Sequence, residues 1–161
     1  MRKIGRTLKR RRKEGKTDYK SRLGFLKSGK PRLVFRKTNR YIIGQIVSSN
    51  IAQDKVIVSV SSKKLLEKGW PKDHQGSLKS LTACYLTGYM LGKNSKDIKE
   101  AIFDIGLQRN VKKSRIYAFL KGFIDAGINV PHNKASLPSL EIINKNEKIK
   151  NNFNKIMETI K

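Results

Sequence analysis

At 161 residues the chain has room for one domain, and 37 basic against 12 acidic residues give a formal net charge of +25. Leu, Ile, Val and Phe together number 44, enough to build a core, which excludes a chain disordered throughout. No apolar run reaches the length of a membrane span or a signal-peptide core; one cysteine, Cys84, and two distant histidines, His74 and His132, exclude an internal disulfide framework and any zinc-type spacing.

The charge is concentrated at the start. Residues 1–40 hold 17 basic and 2 acidic residues, and the first 22 hold 11 and 2. Within those 22 only Met1, Ile4, Leu8 and Tyr19 are apolar, too few to bury a helix face. The expectation for 1–22 is a basic arm that is disordered alone and orders on a polyanion. The run Lys9-Arg10-Arg11-Arg12-Lys13 has three readings: import signal, membrane-surface patch or nucleic-acid arm. A membrane patch requires bulky apolar residues opposite the charge, which this arm lacks.

A single α/β domain is expected over 23–133. Arg22–Lys27 reads as a short helix closed by the turn Ser28-Gly29-Lys30-Pro31. Residues 32–38 read as a strand with Leu33 and Phe35 on one face and Arg32, Val34 and Arg36 on the other. After a tight turn at Asn39-Arg40, residues 41–48 place Ile42, Gly44 and Ile46 opposite Tyr41, Ile43, Gln45 and Val47. A third strand, 55–61, opposes Val56, Val58 and Val60 to Ile57, Ser59 and Ser61. Short connections make this an antiparallel meander. From Ser77, read as an N-cap, a helix runs over 78–92, its small residues Ala83, Thr87 and Gly88 allowing close approach to the sheet. Residues 101–105 form a short strand, and 114–126 a helix with Ile116, Phe119, Leu120, Phe123 and Ile124 on one stripe, stopped by Gly127. A crossover then sets the fourth strand parallel to a neighbour. The C-terminal extension, 134–161, carries an amphipathic helix near 141–160 with Ile149, Phe153, Ile156, Met157 and Ile160 aligned. The fold class is α/β: a mixed β-sheet (three-strand antiparallel meander plus a parallel strand) packed with helices, preceded by the disordered basic N-terminal arm.

Catalysis requires converging groups. His132 beside Pro131 reads as a loop residue, Cys84 mid-helix as a buried structural thiol, and Asp54, Asp104 and Asp125 are scattered in sequence. The first strand carries arginines where a metal-dependent nuclease needs acids. Neither a nucleotide-binding glycine loop nor a cofactor fingerprint is present. The expectation is a protein without catalytic residues, metal or cofactor. RNA binding suits the polar groups: the arm with Arg32, Arg36, Lys37 and Arg40 can track phosphates, and Tyr41 and Gln45 share a sheet face suited to bases or riboses. Tyr41 also reads as an aromatic filling the sheet surface, and Arg36 as a solvated strand charge.

The stretches Gly15-Lys16-Thr17-Asp18-Tyr19-Lys20-Ser21-Arg22 and Ser28-Gly29-Lys30-Pro31-Arg32-Leu33-Val34-Phe35-Arg36-Lys37-Thr38-Asn39 resemble the archaeal-type branch of the large-subunit ribosomal protein eighteen family. So do Tyr85-Leu86-Thr87-Gly88, Asp104-Ile105-Gly106-Leu107 and the segment 119–132 from Phe119 to His132. The match covers roughly residues 14–133 in order. The resemblance implies a non-enzymatic cytoplasmic protein of the large ribosomal subunit that binds 5S ribosomal RNA and helps attach it to the large ribosomal RNA in the central protuberance. Its expected partners are both RNAs and the neighbouring 5S-associated ribosomal proteins. The resulting RNA-binding set is Arg2, Lys3, Arg6, Lys9, Arg10, Arg11, Arg12, Lys13, Lys16, Tyr19, Arg22, Lys30, Arg32, Arg36, Lys37, Asn39, Arg40, Tyr41 and Gln45. Residues 134–161 depart from the family pattern, with Leu137-Pro138-Ser139-Leu140 leading into an Asn- and Lys-rich tail. The competing class is a general, chromatin-like nucleic-acid packaging protein, which the charge alone would permit.

Overall fold

The computed structural model describes residues 7–51, 53–144 and 147–160. In chain order the elements are α1 (Arg10–Lys13), α2 (Tyr19–Ser28), β1 (Arg32–Lys37), β2 (Ile42–Asn50), β3 (Gln53–Ser61), α3 (Leu81–Lys93), β4 (Ile102–Asp104), α4 (Arg115–Asp125), α5 (Leu140–Ile143) and α6 (Glu147–Ile160). The strands form one sheet in the order β3-β2-β1-β4. The first three pair antiparallel, and β4 lies parallel to β1 with Leu33 opposite Phe103. The expected meander and parallel fourth strand are both present. Thr38 and Tyr41 close the first hairpin: the Thr38 amide donates to the Tyr41 carbonyl at 2.9 Å, and the Thr38 hydroxyl accepts from the Tyr41 amide at 2.9 Å.

Alternation divides the sheet as read. Leu33, Phe35, Ile42 and Ile46 are buried on the helix-covered face. One residue turns the other way. Ile46 pairs with Val58 but Val47 pairs with Val56, a bulge that inserts one residue into β3. A one-residue slip reverses every side chain beyond it. Val56 therefore leaves the face of Val58 and Val60 and joins the opposite one.

Helix α3 is buried from Thr82 to Gly92, as expected of a helix that is apolar on every side. Its N-cap is Ser80, whose hydroxyl accepts from the Ala83 amide, and not Ser77, whose hydroxyl donates to the His74 carbonyl at 2.7 Å. Of the small residues of α3, Gly88 serves a different neighbour than expected. A methyl group on Gly88 would lie 2.1 Å from the Phe119 carbonyl oxygen, and one on Gly122 2.0 Å from that of Tyr85. The glycines bring the backbones of α3 and α4 together, while α3 meets the sheet through larger side chains such as Leu91.

The C-terminal helix is interrupted: α5 ends at Ile143 and α6 begins at Glu147. Ile149, Phe153 and Ile156 are buried, with the Phe153 ring 5.7 Å from that of Tyr85. The expected stripe thus docks on this chain's own helices.

Candidate nucleic-acid interface

The arm is the first departure. Residues 7–22 were expected to lack structure, yet α1 forms at Arg10–Lys13 and α2 starts at Tyr19. Apolar burial contributes little, since neither helix contains a fully buried residue and only Tyr19, Phe25 and Leu26 of α2 are half-buried apolar side chains. Polar contacts order them. Asp18 caps α2, accepting from the Lys20 and Ser21 amides at 3.0 and 3.3 Å and from the Ser21 hydroxyl at 2.7 Å. Those Ser21 hydrogen bonds hold its carboxyl below the usual range. The Arg11 Nε donates to the Thr17 hydroxyl at 2.8 Å, and the Lys9 ammonium lies 4.5 Å from the centre of the Tyr19 ring. Gly29 ends α2 in the left-handed conformation at φ 66°, which suits a residue without a Cβ.

Helix α2 is tied to the outer sheet face by Arg22, which donates to Asp54 of β3 at 2.8 Å. Asp54 also accepts from the Ser49 hydroxyl at 2.7 Å and pairs with Arg32 at 2.8 Å. The Arg22 hydrogen bond is the main reason its pKa falls to about 2, with Ser49 and Arg32 adding to it against the cost of burial. Arg32 reaches in the other direction to Asp104 of β4, 3.2 Å away, and Arg36 approaches the same carboxylate at 3.4 Å. Two acids far apart in sequence therefore flank one arginine, while Asp125 lies elsewhere, beside Tyr85 and Lys121. No spacing rule signals this; the strand order brings the two acids together.

Between arm and sheet lies a cleft of about 520 Å³. Arg11, Lys16 and Arg22 line it from the arm, and Arg32, Arg36 and Gln45 from the sheet, over an apolar floor that includes Val34 and Val47. Six residues of the expected RNA set thus meet at one place.

The rest of that set is distributed as follows. Lys9, Arg10, Arg12 and Lys13 are exposed on and beside α1, and Lys37, Asn39 and Arg40 are exposed at the first hairpin. Lys30 is exposed but ion-paired with Glu100, whose carboxyl that contact holds low. Gln45 donates to the Ser59 hydroxyl at 3.2 Å. Tyr41 is half-buried and packs against the core. Arg32 departs from the expectation of a phosphate-tracking cation: only 5% of its surface is exposed, and its guanidinium is engaged by two carboxylates and the Ser49 hydroxyl. It is an internal crosslink of the sheet. Arg2, Lys3 and Arg6 lie outside the described residues.

The groups weighed for catalysis occupy structural places. Cys84 is buried in α3, and burial pushes its thiol far up. His132 is exposed, its Nδ1 2.7 Å from the Val130 carbonyl. Among the described residues no three His, Cys, Asp or Glu side chains gather as a metal site.

A family described as ribosomal large subunit proteins 60S L5 and 50S L18 matches residues 5–99 and 93–133. The large ribosomal subunit protein uL18 of Korarchaeum cryptofilum is 52% identical over 131 residues, which are 80% of this chain and 65% of that protein. The uL18 protein of Methanothermobacter thermautotrophicus is 44% identical over 131 residues, 80% of this chain and 66% of its own length. That of Methanococcus maripaludis is 45% identical over 137 residues, 84% and 69% respectively. The chain thus spans about two thirds of the length of these relatives.

Proposed function

The chain belongs to the family of ribosomal large subunit proteins 60S L5 and 50S L18, and on that premise we propose that it is a structural, non-enzymatic component of the cytoplasmic large ribosomal subunit that binds 5S ribosomal RNA. It helps attach that RNA to the large ribosomal RNA in the central protuberance, beside the other 5S-associated ribosomal proteins. The observation that carries this reading is the cleft where Arg11, Lys16 and Arg22 of the arm meet Arg36 and Gln45 of the sheet. Exposed cations of α1 and the hairpin supply phosphate contacts and hence affinity. Folded RNA is read through its shape, its 2′-hydroxyls and its unpaired bases, for which a cleft walled by cations and floored by valines is suited. Arg32 acts beneath it, holding β3 and β4 to β1.

The test is a titration of the full chain with 5S ribosomal RNA, an unrelated structured RNA of equal length and duplex DNA, each at several salt concentrations. The expected result is tightest binding to 5S RNA, with affinity falling about 10³–10⁵-fold between 50 and 200 mM salt if 6–10 phosphates are contacted. Equal affinity for all three would overturn the reading in favour of general packaging.

A further inference from the structure

A second groove, away from the arm, lies at the start of α4 with a volume of about 580 Å³. Its walls include Lys37, Arg109, Lys113 and Arg115, and no acidic residue lines it. The cleft under α2 differs, because its Arg22, Arg32 and Arg36 are ion-paired with Asp54 and Asp104. Among the described residues, none of the four groove cations makes an ion pair. The sequence from Ile105 to Ile124 contains no acid at all.

The floor is apolar. Leu81 and Ile116 line it, and Val111, 46% exposed, stands at its edge. Ser114 caps α4 without its side chain bonding an amide, and its hydroxyl is buried with no partner. The first turn of α4, which borders the groove, therefore adds its unbonded amides to the positive field. Lys113 holds φ at 57°, a left-handed backbone that costs a side chain and favours glycine. Lysine at this strained position displays a charge where glycine would be the more stable choice.

We propose that this groove is a second RNA-binding site, taking a stretch of ribosomal RNA with its phosphates on Lys37, Arg109, Lys113 and Arg115 and a base against Val111. Charge complementarity selects this occupant, since unneutralised cations around an apolar floor match a chain that alternates phosphate and base. Lys37 also belongs to the first hairpin, so the groove continues the surface assigned above. The site deepens the RNA-binding reading and rests on it.

The test uses the full chain with 5S ribosomal RNA and, separately, whole large-subunit ribosomal RNA. The variant Arg109→Gln/Lys113→Gly/Arg115→Gln is expected to bind at least one of them about tenfold or more weakly at 100 mM salt. Its log–log salt slope should be shallower by roughly 0.7–0.9 per lost phosphate contact. Lys113→Gly alone is expected to weaken binding while holding or raising the melting temperature, which a merely structural lysine would not do. A photoreactive p-benzoylphenylalanine replacing Val111 should crosslink to that RNA. Wild-type affinity and slope in the triple variant for both RNAs would overturn the groove and leave the main reading intact. So would crosslinks only to a second copy of the chain. Failure of the wild-type chain to bind either RNA would remove both.

Discussion

Arg22 of α2 and Asp54 of β3, 32 positions apart, meet at 2.8 Å across the outer face of the sheet. This pair fastens a largely polar segment to the body. Its strength is tied to the protonation state of one carboxyl group.

Asp54 has a pKa near 2 in the folded chain against 3.8 for the free side chain. A depressed acid stabilises the fold above its unfolded pKa and loses that contribution as pH falls through the folded one. The melting temperature of the wild-type chain should therefore drop between pH 4 and pH 2 by more than that of Asp54→Asn, which lacks this titration. Asp54 is 34% exposed and Asp104 6%, and this difference ranks the two acids at neutral pH. Asp54→Asn should cost about 1 kcal/mol, because water screens its pair with Arg22 and the amide oxygen can still accept from Arg32. Asp104→Ala should cost about 3 kcal/mol, because it leaves a buried guanidinium half-paired. Denaturant titrations of both variants test the ranking, and an equal loss would refute it.

The α3–α4 contact leaves no room for a methyl group. Gly88→Ala and Gly122→Ala each drive a carbon to about 2 Å from a backbone carbonyl oxygen, so the helices must separate, at about 3 kcal/mol or more each. Gly24, inside α2, has open space around it. There the same substitution should stabilise by up to about 1 kcal/mol through helix propensity. Chemical denaturation of the three variants reads the opposite signs directly.

Helix α6 lies on α3 through Ile149, Phe153 and Ile156. Phe153→Ala should destabilise the chain by about 3 kcal/mol, and truncation after Asn144 should lower the melting temperature further. An unchanged melting temperature in the truncated chain would mean that the stripe belongs against another molecule.

Tyr41 and Arg36 should separate in their effects. Arg36 is 43% exposed, so Arg36→Ala is expected to weaken RNA binding with little loss of stability. Tyr41 packs on the core, so Tyr41→Ala should also lower the melting temperature. Thermal melts beside RNA titrations distinguish the two, and equal melting temperatures would return Tyr41 to the surface.

Local pattern by itself determined the antiparallel meander, the inward set Leu33, Phe35, Ile42 and Ile46, the crossover to a parallel fourth strand and the cation-rich start, because period and composition are properties of neighbouring residues. The basic arm and the first strand were also legible as candidate RNA-binding segments. The partners of those cations were not legible. Arg32 looks in sequence like any other strand arginine, and only the order β3-β2-β1-β4 sets it between Asp54 and Asp104 and buries it. The Val56 reversal depends on a bulge whose pairing is set across strands, and Gly88 meets α4, not the sheet, because of how two helices pack. The same holds for the groove at α4, where Lys37 joins Arg109, Lys113 and Arg115 across more than seventy residues of chain. Charge is counted along the sequence, but whether a cation is neutralised or left facing water depends on what the fold places within a few ångströms of it.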